Sequence, residues 1–415
     1  MLRAGAGSRL KKVYIQTFGC QMNVADSAEM MLHLSARGCI AAGDLDGADI
    51  ALINTCTIRD HAEHRALSYL GRLAKWKAAK PGRIIIFAGC AAQRLGKSLR
   101  RRFPQADIIA GAKNIEGFGD ILDKSGFFAA AGAGAQSGGG LIGLVNITRG
   151  CSCKCAYCIV PFVRGEAHSI APEEIMAAVE AKLAAGAKEI ILLGQTVNAY
   201  NYKGKNFSKL LQDITKPPSM GRVRFMSPHP VFIDEEFIQT AAQNPKISRH
   251  MHLPAQSGST KVLQDMKRGY SRELYLQKVK MLESAGIVVS TDIIVGYPAE
   301  TEEDFARTLS LFDEAPFTAA YCFKFSPRAG TPAALLTPLD DKTVEKRLDI
   351  LLNKVKRSSA AAYAAQLGTK QSVLFETPTN GRTMTNFWVR TTKKYNTGET
   401  AEVEIKEVKD TILLA

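Results

Sequence analysis

Apolar residues in the first part of the chain come in short, β-rich runs: Val13-Tyr-Ile-Gln-Thr-Phe18, Asp49-Ile-Ala-Leu-Ile-Asn54 and Arg83-Ile-Ile-Ile-Phe-Ala88. Longer stretches with helical spacing separate them, which predicts a parallel sheet with helical crossovers over residues 11–125. Residues 126–140 lose the pattern and, rich in Gly and Ala, read as a flexible linker. From 141 to 370 strand and helix patterns alternate again. The strand candidates are Leu141–Thr148, Glu189–Gly194, Arg222–Met226, Ser248–Leu253, Ile287–Gly296 and Thr318–Phe325. Parallel strands joined by right-handed crossovers predict an incomplete (βα)6 barrel with its chemistry at the C-terminal mouth. A long basic helix is expected over about Lys342–Gln366. The tail, 371–415, changes to short alternating strands such as Ser372–Glu376 and Glu402–Ile405, which predicts a small antiparallel β-barrel. The fold class is α/β: a parallel sheet domain, a partial barrel and a small β-barrel in that order.

Composition narrows the function classes. A length of 415 residues suits two or three domains, and 46% hydrophobic content suffices for a sizeable core. No apolar run is long enough to span a bilayer, so no membrane is expected. The opening Met1–Lys12 is short and basic, without the apolar core of a secretory signal, and a cytoplasmic location is expected. The net charge of +14 suits a polyanionic partner, nucleic acid first, although charge alone leaves the partner open. In the tail, Arg382, Arg390, Lys393 and Lys394 intermix with Phe387, Trp388 and Tyr395. That mixture suits phosphate contacts and base stacking, or else an ordinary solvated surface over a few core aromatics.

Nine cysteines, an odd number partly clustered in one loop, argue for metal binding in a reducing compartment over disulfides. Cys151, Cys155 and Cys158 form a C-x3-C-x2-C loop directly after an apolar run. Three thiolates suit one cubane iron–sulfur cluster and leave its fourth iron without a protein ligand, where such clusters usually take four cysteines. Zinc with a fourth ligand is the alternative; His168 is poorly spaced for it, and Cys153 competes for the frame. The loop resembles the signature of the radical S-adenosylmethionine (SAM) superfamily, in which the open iron takes the amino and carboxylate groups of SAM. The three first-segment strands also each end at a cysteine: Cys20, Cys56 and Cys90. Strand C-termini of an open parallel sheet line one edge, where ligands bind. Asp26-Ser-Ala-Glu29 reads as a capping box opening one helix and Thr57-Ile-Arg-Asp60 as the start of the next. Helix N-termini stabilise thiolates, so a second iron–sulfur site with three protein ligands is expected. Against it, buried cysteines are common small hydrophobes, a reading that suits Cys39 and Cys322.

Together these residues resemble the methylthiotransferase family over nearly the whole chain. The resemblance is carried by Gly19-Cys20-Gln-Met-Asn23, Asn54-Thr55-Cys56, Gly89-Cys90-Ala-Ala-Gln-Arg94 and Tyr157-Cys158-Ile-Val-Pro-Phe-Val-Arg-Gly165. Gly194-Gln-Thr-Val-Asn-Ala-Tyr200, His252–Ser259, Met266-Lys-Arg-Gly-Tyr270, Ser290–Pro298 and Phe323–Pro332 are similar to the branch acting on N6-dimethylallyladenosine in tRNA. The resemblance implies an N-terminal domain with an auxiliary cluster, a radical-SAM barrel and a C-terminal RNA-binding barrel called TRAM. It implies two [4Fe-4S] clusters, on Cys20, Cys56 and Cys90 and on Cys151, Cys155 and Cys158, with SAM as cofactor. SAM contacts are expected at Tyr157, Gly194, Gln195, Asp292 and Ile294, each equally readable as a residue that holds the barrel together. Arg164 is expected to meet substrate or the SAM carboxylate, or equally to pair with a surface acid such as Glu166.

The implied reaction is radical activation of C2 of N6-dimethylallyladenosine next to the tRNA anticodon, sulfur insertion from the auxiliary cluster and methyl transfer from a second SAM. Both clusters are then expected to face one cavity, with the N-terminal sheet edge capping the barrel mouth. The implied partners are the tRNA anticodon stem-loop and an electron donor such as a flavodoxin or ferredoxin, with the enzyme as a monomer. Departures from the family pattern are Cys153 inside the cluster loop, Thr196 in place of Asn, and Ile170 where Arg is common. They put fine substrate contacts in doubt. The rival readings are a sister enzyme acting on threonylcarbamoyl-adenosine in tRNA or on a ribosomal protein aspartate, and a non-catalytic iron–sulfur RNA-binding protein.

Overall fold

The computed structural model describes residues 10–57, 60–128 and 139–415. The chain forms two compact units. The first is Met1–Gly138 together with Ile159–Glu166; the second is Gly139–Cys158 and Ala167–Ala415. The linker expected over 126–140 lies largely outside the described residues, as do Ile58 and Arg59 of the expected second helix start.

The first unit is a five-stranded parallel sheet: β1 (Lys11–Phe18), β2 (Cys39–Ala41), β3 (Ile50–Thr55), β4 (Ile84–Gly89) and β5 (Ile108–Gly111), in the order β2-β1-β3-β4-β5. β3 and β4 are buried along their whole length, as continuous apolar runs require when both faces are covered. Alternate side chains serve opposite cores. Ala51, Ile53, Ile85 and Phe87 pack with Leu67, Leu70, Leu73 and Trp76 of α2 (Asp60–Ala78). Ile50, Leu52, Ile84 and Ile86 pack on the other face with Met30 and Leu34 of α1 (Gln21–Ser35). The register pairs Phe18 with Thr55 and Thr55 with Gly89, so the ends of β1, β3 and β4 lie side by side.

The second unit contains two three-stranded parallel sheets. One is Ile142–Asn146, Glu189–Leu193 and Arg222–Phe225; the other is His250–His252, Val288–Val295 and Phe317–Lys324. Strands neighbour one another in chain order, and a parallel bridge from Val223 to Ile247 joins the two sheets. All six coincide with the strands expected from the sequence, and the helix Asp341–Ala364 with the expected long helix. The tail forms a curled six-stranded sheet over Lys370–Leu414. It is antiparallel except where Trp388–Arg390 runs parallel to Ile412–Leu414. This sheet docks on the beginnings of the parallel strands. Arg222 Nη1 donates to the Thr383 carbonyl at 2.9 Å, and Ser248 Oγ and Arg249 N donate to the Met384 carbonyl at 2.8 and 2.9 Å. The cysteine loop follows the opposite, C-terminal strand ends. Among the described residues no helix is long and apolar enough to cross a membrane.

Candidate functional site

In the first unit, β1, β3 and β4 deliver Cys20, Cys56 and Cys90 to one edge. Cys20 caps the N-terminus of α1, and Cys90 opens the short helix α3 (Cys90–Leu95). A buried amide network fixes these strand ends. Asn23 Nδ2 donates to the Thr55 carbonyl at 3.0 Å, while Asn54 Nδ2 donates to the Asn23 carbonyl at 2.7 Å and to Ser27 Oγ at 3.0 Å. Thr55 Oγ1 donates to the Ala88 carbonyl and accepts from the Ala91 N–H. Gly89 has φ +95°, and a Cβ there would sit 2.3 Å from Asn54 Oδ1, so only glycine lets β4 approach the network.

The hydrogen bond with Cys56, ahead of backbone donors and Arg164, draws the Cys20 thiol down to about 6, whereas burial pushes the Cys90 thiol up. The cysteines are therefore close enough to share hydrogen and charge. Arg164, at the end of the short helix Val160–Arg164, pairs with Asp26 Oδ2 at 2.8 Å, both side chains being buried. Two expectations are corrected here. The helix opens at Gln21, not at Asp26, because Cys20 and Asn23 already form the capping box; Asp26 instead lies on the buried face of α1. Arg164 pairs with that buried carboxylate and not with Glu166, since a guanidinium taken from water needs a counter-charge beside it.

In the second unit, Gly150, at φ +74°, turns the chain into the cysteine loop. The loop is pinned at Ala156, whose N–H donates to the Met266 carbonyl at 2.9 Å and whose carbonyl accepts from the Ala333 N–H at 2.9 Å. Arg268, only 8% exposed, donates from Nη1 to Cys155 Sγ at 3.2 Å and from Nε to the Tyr270 hydroxyl at 3.1 Å. Thr196 Oγ1 lies 3.5 Å from Cys151 Sγ and 3.8 Å from Cys153 Sγ. The hydrogen bond from Cys153 holds the Cys151 thiol at about 6, and the same bond pushes Cys153 up.

The residues expected to meet SAM fall into two groups. Gly194 and Gln195 follow the strand Glu189–Leu193 beside Cys151. A Cβ on Gly194 would sit 2.2 Å from Thr148 Oγ1. Asn146 Oδ1, Thr148 Oγ1 and Gln195 Oε1 are buried here with no hydrogen-bond partner among the described residues. Tyr157 and Ile294 pack against the cluster formed by Ala156, Val262, Met266, Tyr297 and Ala333. Asp292, two residues before Ile294 and on the same strand face, lies 3.3 Å from His252 Nε2.

Both sites fit an iron–sulfur cluster in donor type. Among the described residues no three His, Cys, Asp or Glu side chains converge as ligands of a single metal ion must. A cubane spreads its three thiolates over three irons, so convergence on one point is not what it needs. The orphaned acceptors beside Cys151 suit a ligand that carries an ammonium group, since buried polar atoms otherwise find partners.

Comparison with known proteins was consistent across the chain. Residues 12–111 match the model described as "Uncharacterized protein family UPF0004", and residues 145–312 match the radical SAM superfamily. A tRNA-2-methylthio-N(6)-dimethylallyladenosine synthase of Endomicrobium trichonymphae is 39% identical over 88% of this chain and 89% of its own length. The protein of that name from Aliarcobacter butzleri is 40% identical over 88% of each chain, and that from Sulfurimonas denitrificans 37% identical over 97% of this chain and 98% of its own. The chain belongs to this family. At the level of fold alone, it is similar to the radical SAM methyltransferase TsrM of Kitasatospora setae, with TM-score 0.59, 13% identity and coverage of 79% of this chain and 77% of that one.

Several residues of this family member carried no assigned role in the sequence reading. Arg268 was visible only as part of Met266–Tyr270, and Asn23 and Asn54 only as neighbours of cysteines. The signal that could have found them is a polar or charged residue held inside an otherwise apolar surround. His250 and His252 also lie together, each 2.9 Å from Ser290 Oγ. Two tail aromatics offered for stacking pack inward: Phe387 is core, edge-on against Tyr363, and half-buried Tyr395 lies over the core, stacked on Phe375 at 4.0 Å. Arg382 stacks on Trp388 at 3.9 Å and pairs with Glu376 at 3.0 Å.

Proposed function

We propose that this protein is a radical-SAM methylthiotransferase that converts N6-dimethylallyladenosine beside the tRNA anticodon to its 2-methylthio form. One observation carries the reading above others: cysteines far apart in sequence, Cys20, Cys56 and Cys90, end three adjacent strands, while a second trio occupies a separate loop. A binding module has no use for two such sites. Cys20, Cys56 and Cys90 hold an auxiliary [4Fe-4S] cluster, and Cys151, Cys155 and Cys158 hold the second. When bound, the clusters and SAM supply the radical C–H activation, the sulfur and the methyl group.

The chain's own residues bind, orient and shield. Arg268 places a fixed cation against Cys155, which offsets thiolate charge. Asn146, Thr148 and Gln195 offer acceptors to the ammonium of SAM, and Gly194 leaves room for it. Tyr157 and Ile294 flank the adenine of SAM, and Asp292 its ribose. Cys153, outside the C-x3-C-x2-C frame, is not a ligand. The six strands curl into an incomplete barrel with this chemistry at its mouth, and the tail sheet acts as a TRAM-like RNA-binding domain through Trp388, Arg390, Lys393 and Lys394. The enzyme works as a cytoplasmic monomer and takes electrons from a flavodoxin or ferredoxin.

Nucleoside mass spectrometry of total tRNA from cells with and without the gene tests this. Loss of the 2-methylthio nucleoside with accumulation of N6-dimethylallyladenosine is expected. An unchanged level, with the threonylcarbamoyl derivative altered instead, transfers the protein to the sister reaction.

A further inference from the structure

The first unit carries a cationic surface that the reading above does not use. Gln16, Phe18, His64, Arg65, Ser68, Tyr69 and Arg72 line a surface depression of about 400 Å³ between the end of β1 and the exposed face of α2. No acid lines it. Arg65 lies over the Phe18 ring at 5.5 Å and Arg72 over the Tyr69 ring at 5.4 Å, while the two rings themselves pack 5.7 Å apart. Both guanidiniums are exposed, and neither has an acid partner among the described residues. Their neighbours on the helix differ in this respect: Glu63 is taken by Arg94, and Lys77 by Asp107. Two cations thus stand on aromatic supports with their hydrogen-bonding edges unsatisfied, the arrangement in which Arg meets phosphate bidentately.

The place of the depression selects its occupant. Phe18 is two residues before Cys20, about 7 Å of extended chain at ~3.3 Å per residue. α2 begins four residues after Cys56. The strand and helix that bring two auxiliary-site cysteines to the sheet edge therefore also build the depression. The tail sheet, by contrast, docks on the strand beginnings of the second unit, at the end away from its cysteine loop. Resting on the reading of these cysteines as the sulfur-delivering site, we infer that Arg65 and Arg72 bind the sugar-phosphate backbone of the substrate RNA near the modified base. They clamp the loop where the flipped adenine must be held. The aromatic supports hold each guanidinium in place, which lowers the entropy lost on binding.

The test uses full-length protein with both clusters reconstituted and an anticodon stem-loop RNA carrying N6-dimethylallyladenosine. Dissociation constants are measured over a series of KCl concentrations for wild type, Arg65→Gln/Arg72→Gln and Arg65→Lys/Arg72→Lys, with iron content and circular dichroism confirming folded, loaded protein. The glutamine pair is expected to weaken binding at low salt by about tenfold or more and to reduce the slope of log K against log salt by about 1.4 to 1.8, at ~0.7–0.9 per phosphate. The lysine pair keeps most of that slope. An unchanged slope and affinity in the glutamine pair, with wild type binding normally, overturns the clamp and leaves the enzyme reading intact. Failure of wild type to bind this RNA sinks that reading itself. If the glutamine pair binds RNA as wild type does but is no longer reduced by an acidic flavodoxin, the surface belongs to the electron donor and the RNA assignment is wrong.

Discussion

At the scale of single residues, the two cysteine trios separate by task on the proposed assignment. Cys155→Ala should abolish reductive SAM cleavage, because it removes one of the three proposed ligands of the loop, the one that Arg268 faces. Cys56→Ala should keep SAM cleavage and lose methylthiolated product, since it removes a ligand only from the strand-end site. Cleavage assays and product mass spectrometry on the same preparations check both; product formation by Cys56→Ala would remove the auxiliary role. Cys153→Ser should leave the cluster in place, because Cys153 lies outside the C-x3-C-x2-C frame. The loop spacing already marked Cys151, Cys155 and Cys158. Arg268 was not legible as their neighbour, because 113 residues separate it from Cys155 and nothing local announces the contact.

Among elements, the short helix Val160–Arg164 is the most consequential. Five residues long, it is too short to hold itself in water. Val163 and Ile159 pack with Cys90 and Ala112, and Arg164 locks it to α1 through Asp26. Arg164→Met leaves the Asp26 carboxylate buried without this cation, which should cost about 3–5 kcal/mol. Chemical unfolding of the cluster-free protein followed by circular dichroism measures it; a loss below about 1 kcal/mol would show that the pair is replaceable. The α1 start teaches the same lesson from the other direction. Asp26-Ser-Ala-Glu29 has the local form of a capping box, but Cys20 and Asn23 cap six residues earlier. A local rule was overridden by the strand end to which α1 is tied.

For the whole molecule, buried histidines make stability depend on pH. Burial, helped by Arg268, lowers His229 to about 3, and burial with His252, Arg224 and Arg382 nearby lowers His250 to about 3. The unfolded chain binds these protons near the ordinary 6.5, so it holds more protons than the native state below that pH. Stability from these two groups is complete above about pH 6.5 and is lost as pH falls towards 3, at up to ~1.4 kcal/mol per pH unit for each. Denaturant midpoints between pH 7 and 4.5 should fall accordingly, and His250→Gln should flatten the dependence. An equal slope in the variant would place the acid sensitivity elsewhere. At this scale the tail is also fixed in place: Arg222 and Arg224 of the parallel sheet both engage Glu189 and reach the Thr383 carbonyl and Asn386 of the tail, so the docking charge comes from the sheet and not from the tail.

The chain by itself determined the alternation of strands and helices, the strand ends at which cysteines fall and the C-x3-C-x2-C loop. These are local: hydrophobic period sets element type, and short spacing sets a ligand loop. Tertiary structure alone decided which buried charges meet. Arg164 chose Asp26, Arg268 chose Cys155, and Phe387 entered the core with Tyr395 half-buried against it while Trp388 stayed at the surface. Such choices depend on desolvation, which has no sequence signature, because a charge or a ring is buried only where the fold happens to supply its partner.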